Sequence, residues 1–130
     1  MLVVDATVAL HASGVADGFD EFDGEPLVAP ALMWSEARSV LHELTRRGEV
    51  TAEDAEATRS RLERCPVKRR EHRRLGDEAL RIADALGWAK TYDAEYVGLA
   101  LLLGCRLVTL DARLRRGADR FGCVIGPDEL

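Results

Sequence analysis

Four short, mostly apolar runs separated by helical patterns constrain this chain more than any other feature. Met1–Val4, Leu27–Ala29, Arg106–Thr109 and Cys123–Ile125 are too short for helices. Brief apolar runs of this kind read as strands buried on both faces, and strands alternating with helices make a parallel sheet covered on both sides. The expected fold is α/β: a three-layer α/β/α domain with a central, mainly parallel, short-stranded sheet and right-handed crossovers. At 130 residues a single domain, 1–130, is expected.

The segments between the strands carry helical signals. Ala6–Ala12 follows the first strand, and 14–25 is polar and Gly-punctuated, a loop with some helix. In 31–47, Met33, Ala37, Val40, Leu41 and Leu44 recur at steps of three and four, with Gly48 where a C-terminal cap belongs. Thr51 with Asp54 begins another helix, running to about Arg64. Cys65-Pro66-Val67 is placed as an edge strand. Leu75, Ala79, Ile82, Ala83 and Leu86 mark a helix ended by Gly87, and Tyr92–Leu103, apolar nearly all round, predicts a buried one. A short helix is expected over 111–116.

Composition narrows the function. No apolar stretch approaches the roughly 20 residues of a membrane span, and the N-terminus lacks the basic region of a signal peptide. Three cysteines without a C-x-x-C spacing and three scattered histidines point away from disulfides and zinc and toward a reducing cytoplasm. A net charge of −5 argues against indiscriminate nucleic-acid binding. The charges are segregated, though: five acids and no base in 17–25, and eight Lys and Arg in 59–74. The basic run reads either as solvated helix faces or as a phosphate-contacting rim beside an acidic centre.

That centre is suggested by four acids. Asp5 and Asp111 each follow an apolar strand, so adjacent parallel strands would present them at one carboxyl edge, where open α/β sheets bind ligands. Asp93 lies two residues past Thr91, a candidate N-cap. Taken singly, each of the three has a structural use at a helix start. Glu36 is harder to explain, because a helical wheel sets it with Leu32 and Val40, toward the apolar face. The bland alternative is a rim glutamate reaching water or an arginine. Carboxylates gathered in one place repel one another and coexist ionised only with a cation, which suits Mg²⁺ or Mn²⁺.

Asp5-Ala6-Thr7 after the first strand, Glu36 after Pro30, Thr91-Tyr92-Asp93-Ala94-Glu95-Tyr96 and Leu107-Val108-Thr109-Leu110-Asp111 resemble, in order and spacing, the PIN-domain ribonucleases, most of all the VapC-type toxins of prokaryotic toxin–antitoxin pairs. The resemblance spans nearly the whole chain. It implies a metal-dependent endoribonuclease with Asp5, Glu36, Asp93 and Asp111 as catalytic acids. Asp5, Asp93 and Asp111 would hold Mg²⁺ (or Mn²⁺), and Thr7 and Thr109 would support them. It also implies an RNA substrate, a small antitoxin partner covering the cleft, and a homodimer. Trp34 and the acidic 17–25 segment are candidate contacts, or else partial core and solvated loop. Where some members carry a further acid, this chain has Arg113, with Asp119 as a possible replacement. Arg113, Arg115 and Arg116 are candidates for drawing RNA toward the acids.

Two other classes fit less well. A phosphoacceptor receiver domain needs a lysine at the end of its last strand, whereas the lysines here are Lys68 and Lys90. A haloacid-dehalogenase-like phosphatase needs Asp-x-Asp after the first strand, and the second position is Thr7. Within the PIN fold, a non-toxin RNA-processing nuclease or a binding module with a weak site is the alternative.

Overall fold

A computed structural model describes residues 1–130. Its centre is a five-stranded sheet in the order β3-β2-β1-β4-β5, with every neighbouring pair parallel. The strands are β1 (Leu2–Val4), β2 (Leu27–Ala29), β3 (Lys68–Arg69), β4 (Arg106–Val108) and β5 (Val124–Ile125). The helices are α1 (Ala6–Ser13), α2 (Leu32–Arg46), α3 (Ala52–Glu63), α4 (Leu75–Leu86), α5 (Tyr92–Leu103) and α6 (Ala112–Ala118). β1 and β2 are fully buried, as their apolar composition requires.

The order of strands fixes the layers. From β1 the chain steps outward to β2 and then β3, and right-handed crossovers put α1, α2 and α3 on one face. It then crosses back to β4 and on to β5, which puts α4, α5 and α6 on the other. The packing agrees: α1, α2 and α3 contact one another, and α4 packs along α5. One cluster of 27 buried apolar residues joins the layers, with Tyr96, Met33, Leu62 and Ile82 among its largest members. The expected three-layer architecture is therefore present. The direction of winding reverses between β1 and β4, and this is the switch point of the sheet.

Local chemistry explains most element ends. The Thr51 side chain accepts a hydrogen bond from the Asp54 amide at 3.1 Å and starts α3. Gly87 and Gly104 end α4 and α5 in the left-handed conformation (φ 70° and 65°), which costs a glycine little. The edge strand expected at 65–67 instead forms at Lys68–Arg69, paired to Val28 and Ala29. Pro66 has no amide proton to offer a ladder, and two charged side chains suit an exposed sheet edge. Val40, placed on the apolar face of α2 from its spacing, is 40% exposed; Met33, Ala37 and Leu41 form the buried stripe.

No helix is long and apolar enough to cross a membrane. The 17–25 loop contains a 3₁₀ turn, Asp20–Phe22, whose Phe22 is buried while its acids stay in solvent. Trp34 is half-buried against the core.

Candidate active site

β1 and β4 run side by side in register, Val4 opposite Val108, so the residues that follow them leave the sheet together at its carboxyl edge. Asp5, 4% exposed, turns the chain from β1 into α1. Its Oδ1 accepts from the Val8 amide at 3.1 Å, capping the helix, and from the Thr7 hydroxyl at 2.6 Å. Its Oδ2 accepts from the buried Thr109 hydroxyl. Thr109 Oγ1 also accepts the Asp111 amide at 3.0 Å, and Thr7 Oγ1 accepts the Leu110 amide at 3.0 Å. Asp111 Oδ1 in turn caps α6, accepting from the Arg113 and Leu114 amides at 2.9 and 3.2 Å. The two threonines thus tie the exits of two strands to one carboxylate.

The other two acids come from helices on opposite layers. Glu36, half-buried on α2, accepts the hydroxyl of Tyr96 on α5 at 2.5 Å. A phenol thus satisfies one oxygen of a carboxylate on the edge of an apolar face. Asp93 sits in the first turn of α5, where the helix dipole favours a negative charge. Thr91 stands at the N-cap position of α5, yet its side chain makes no capping bond.

The fields of these acids overlap. Burial is the largest influence on Asp5 and pushes its pKa up; the Thr109, Thr7 and Val8 hydrogen bonds pull it down, and the Asp111 charge pushes it up again. Glu36 is raised by burial first, lowered by Tyr96, and raised by the charges of Asp93, Asp5 and Glu95. Asp93 is raised by the protein packed around its carboxyl and by Asp111, and lowered by Arg113. Each of the four therefore acts electrostatically on at least one other. Glu95, raised by its own burial, is a fifth acid near Glu36 that the sequence did not single out.

None of the four acids forms an ion pair with a lysine or arginine. Nor do three of them converge into a ready-made metal cage. An oxygen-only set of carboxylates without ion pairs suits an ion that keeps several of its waters and uses only one or two carboxylates directly, as Mg²⁺ does. The three cysteines are free.

Beside Glu36 and Asp93 opens a cleft of about 570 Å³, also lined by Trp88, Lys90, Tyr92 and Arg113. Of the three arginines expected to meet substrate, only Arg113 lines it. Arg115 is bound to Glu129 near the C-terminus, and Arg116 is exposed on α6 without an ion pair. Asp119 opens a 3₁₀ turn after α6 and does not line the cleft. The sequence left Tyr96 without a role although it lay in the quoted motif. No spacing rule pairs it with Glu36, 60 residues away.

An open parallel α/β sheet with carboxylates at its switch point belongs to the class of folds that bind ligands at that edge. Residues 2–120 match the family described as the PIN domain. The VapC ribonuclease Mb0985 of Mycobacterium bovis and ribonuclease VapC9 of Mycobacterium tuberculosis are each 37% identical to this chain over 116 residues, 88% of either partner. In three dimensions the chain is similar to the crystal structure of PAE2754 from Pyrobaculum aerophilum, with a TM-score of 0.77 and 25% identity. That match covers 98% of this chain and 90% of the other. The chain belongs to the PIN-domain family, as a VapC-type member.

Proposed function

We infer that this chain is an endoribonuclease that hydrolyses RNA phosphodiester bonds as the toxin of a VapBC-type pair, with residues 1–130 acting as one nuclease domain. The observation that supports this most is the carboxylate cluster at the switch point, unpaired by any base and joined by a cleft that holds both acids and cations.

In this reading the reaction depends on Mg²⁺ or Mn²⁺. Asp5, Asp93 and Asp111 would hold the ion, and Glu36 would complete the acidic set. When bound, a divalent cation supplies positive charge for the phosphoryl and leaving oxygens and lowers the pKa of a water. The protein does the positioning. Thr7 and Thr109 hold both oxygens of Asp5 in place, so the ligand cannot rotate away. Tyr96 takes one oxygen of Glu36 and leaves the other to orient the attacking water and accept its proton. Arg113, beside Asp93, offsets the repulsion between the acids and an incoming phosphate. No serine, cysteine or histidine nucleophile is needed.

A small antitoxin that covers the cleft, a homodimeric assembly and a cytoplasmic location complete the proposal. The test is cleavage of total RNA by antitoxin-free protein with Mg²⁺ or Mn²⁺, with chelator, and by Asp93→Asn. Discrete fragments that require both the metal and Asp93 are expected. Metal-independent cleavage, or full activity of Asp93→Asn, would overturn the mechanism.

A further inference from the structure

Besides Arg113, the cleft next to the acids holds side chains that the hydrolysis described above does not use. Tyr92 opens α5 immediately before Asp93 and, at 57%, is the most exposed large apolar side chain of the protein. No aromatic ring stacks on it. Lys90 and Arg113 line the same cleft; both are exposed and neither is in an ion pair. The segment carrying Lys90 and Tyr92 is anchored rather than loose. Trp88, half-buried, lies so close to α6 that a Cβ added at Gly117 would stand 2.9 Å from its Cζ2 and 3.5 Å from its Nε1. Glycine at 117 admits the indole, and the indole fixes the turn from α4 into α5.

Leaving a tyrosine ring in water beside two free cations and two carboxylates is a poor arrangement for stability and a poor fit to an apolar protein partner. It fits a single-stranded nucleic acid. Unpaired bases stack on aromatic faces, and the backbone between them is met by Lys and Arg. The cleft volume also falls within the range of small-ligand sites.

We propose that Tyr92 is the stacking platform for an unpaired nucleobase next to the scissile phosphate, with Lys90 and Arg113 gripping the flanking backbone. This rests on the ribonuclease reading above and adds to it the side chain that receives the base beside the cut. Tyr92 sets affinity, and the carboxylates set chemistry.

The experiment measures binding of a labelled single-stranded RNA of mixed sequence at low salt, with chelator present so that nothing is cut. Tyr92→Ala should weaken binding about five- to a hundred-fold, the range that loss of one base–aromatic stack produces. Tyr92→Phe should bind like wild type, whereas Tyr92→Leu should behave like Tyr92→Ala. On a cleavable RNA the loss should fall on KM, with kcat nearly intact. A parallel arm needs no protein variant: RNAs with one abasic nucleotide, moved along the strand, should show a single position where wild type loses affinity and Tyr92→Ala loses nothing further. Equal binding by wild type and Tyr92→Ala would overturn the proposal, as would abasic RNAs that all bind alike. So would a Tyr92→Ala variant that binds RNA normally but changes its state of association, since the ring would then cover a protein contact. Wild type that fails to cleave total RNA would instead overturn the ribonuclease reading, so the two failures are separable.

Discussion

The two halves of the carboxylate cluster are built in different ways. Asp5 and Asp111 hang from the exits of two central strands. Asp5 is buried, Thr7 and Thr109 lace the strand exits together, and both acids also cap helices. Asp93 and Glu36 hang from helices of opposite layers. Asp93 lies at an open rim beside free cations, and Glu36 is held by one phenol. The proposed metal site would use both kinds of support: one half would fix the position of the charge, and the other would admit water and substrate.

The sharpest way to break this comparison is to neutralise one acid from each half. If both belong to one metal site, Asp5→Asn and Asp93→Asn should each lower RNA cleavage by about 10²–10⁴-fold, because a divalent cation contributes several kcal/mol of charge stabilisation. Steady-state cleavage of a mapped RNA substrate measures this. A large loss in Asp5→Asn alone would leave Asp93 outside the chemistry.

The supporting residues should give intermediate effects of different character. Thr109→Val removes a buried hydroxyl that serves both Asp5 and the Asp111 amide, and should destabilise the fold by about 1–3 kcal/mol in urea unfolding. Tyr96→Phe strips Glu36 of its partner and should lower activity about 10–100-fold with a smaller change in stability. If Thr109→Val proved as stable as wild type, the lacing of β1 to β4 would be unimportant.

Protonation separates the halves in another way. Burial raises the pKa of Asp5 above its ordinary 3.8, so the metal-free folded protein keeps a proton that the unfolded chain has already released. With more protons bound to the folded state, stability falls as pH rises from about 4 through the raised value. Asp5→Asn cannot titrate there, so its Tm should decline less than that of wild type over the same range. The comparison between the two proteins cancels the opposite contribution of the lowered, ion-paired Glu56 and Glu78. Parallel curves would contradict the assignment. Added Mn²⁺ should restore most stability at neutral pH, where the carboxylates are ionised.

The smallest effect is expected outside the cleft. Arg115→Ala breaks a solvent-exposed pair with Glu129 and should cost no more than about 1 kcal/mol, leaving cleavage unchanged. Arg113→Ala, which removes a cation from the cleft, should weaken cleavage. Equal effects of the two would return Arg115 to the substrate path.

Much of this was legible in the sequence because the strands are short, buried and apolar. A parallel sheet wound in two directions then brings the residues after β1 and β4 to one edge whatever the side chains are. The motif carrying Asp93 could be placed on α5 for the same reason. What escaped were contacts between distant elements. The phenol of Tyr96 meets Glu36 across the sheet edge, and Trp88 lies on Gly117, and neither pair has a periodic signature. The strand at 68–69 was displaced because two exposed basic residues look like loop until the sheet edge they protect is known. Arg115 looked equivalent to Arg113 on the short helix; only the position of the C-terminal turn distinguishes them.

The most direct test of the central claim is titration of Mn²⁺ into metal-free wild type, Asp5→Asn and Asp93→Asn, followed by calorimetry with folding checked by circular dichroism. One site shared by both halves predicts saturable binding by wild type and its loss in both folded variants. Binding by Asp93→Asn that matches wild type would show that the cation is held by the strand half alone, and would contradict the account.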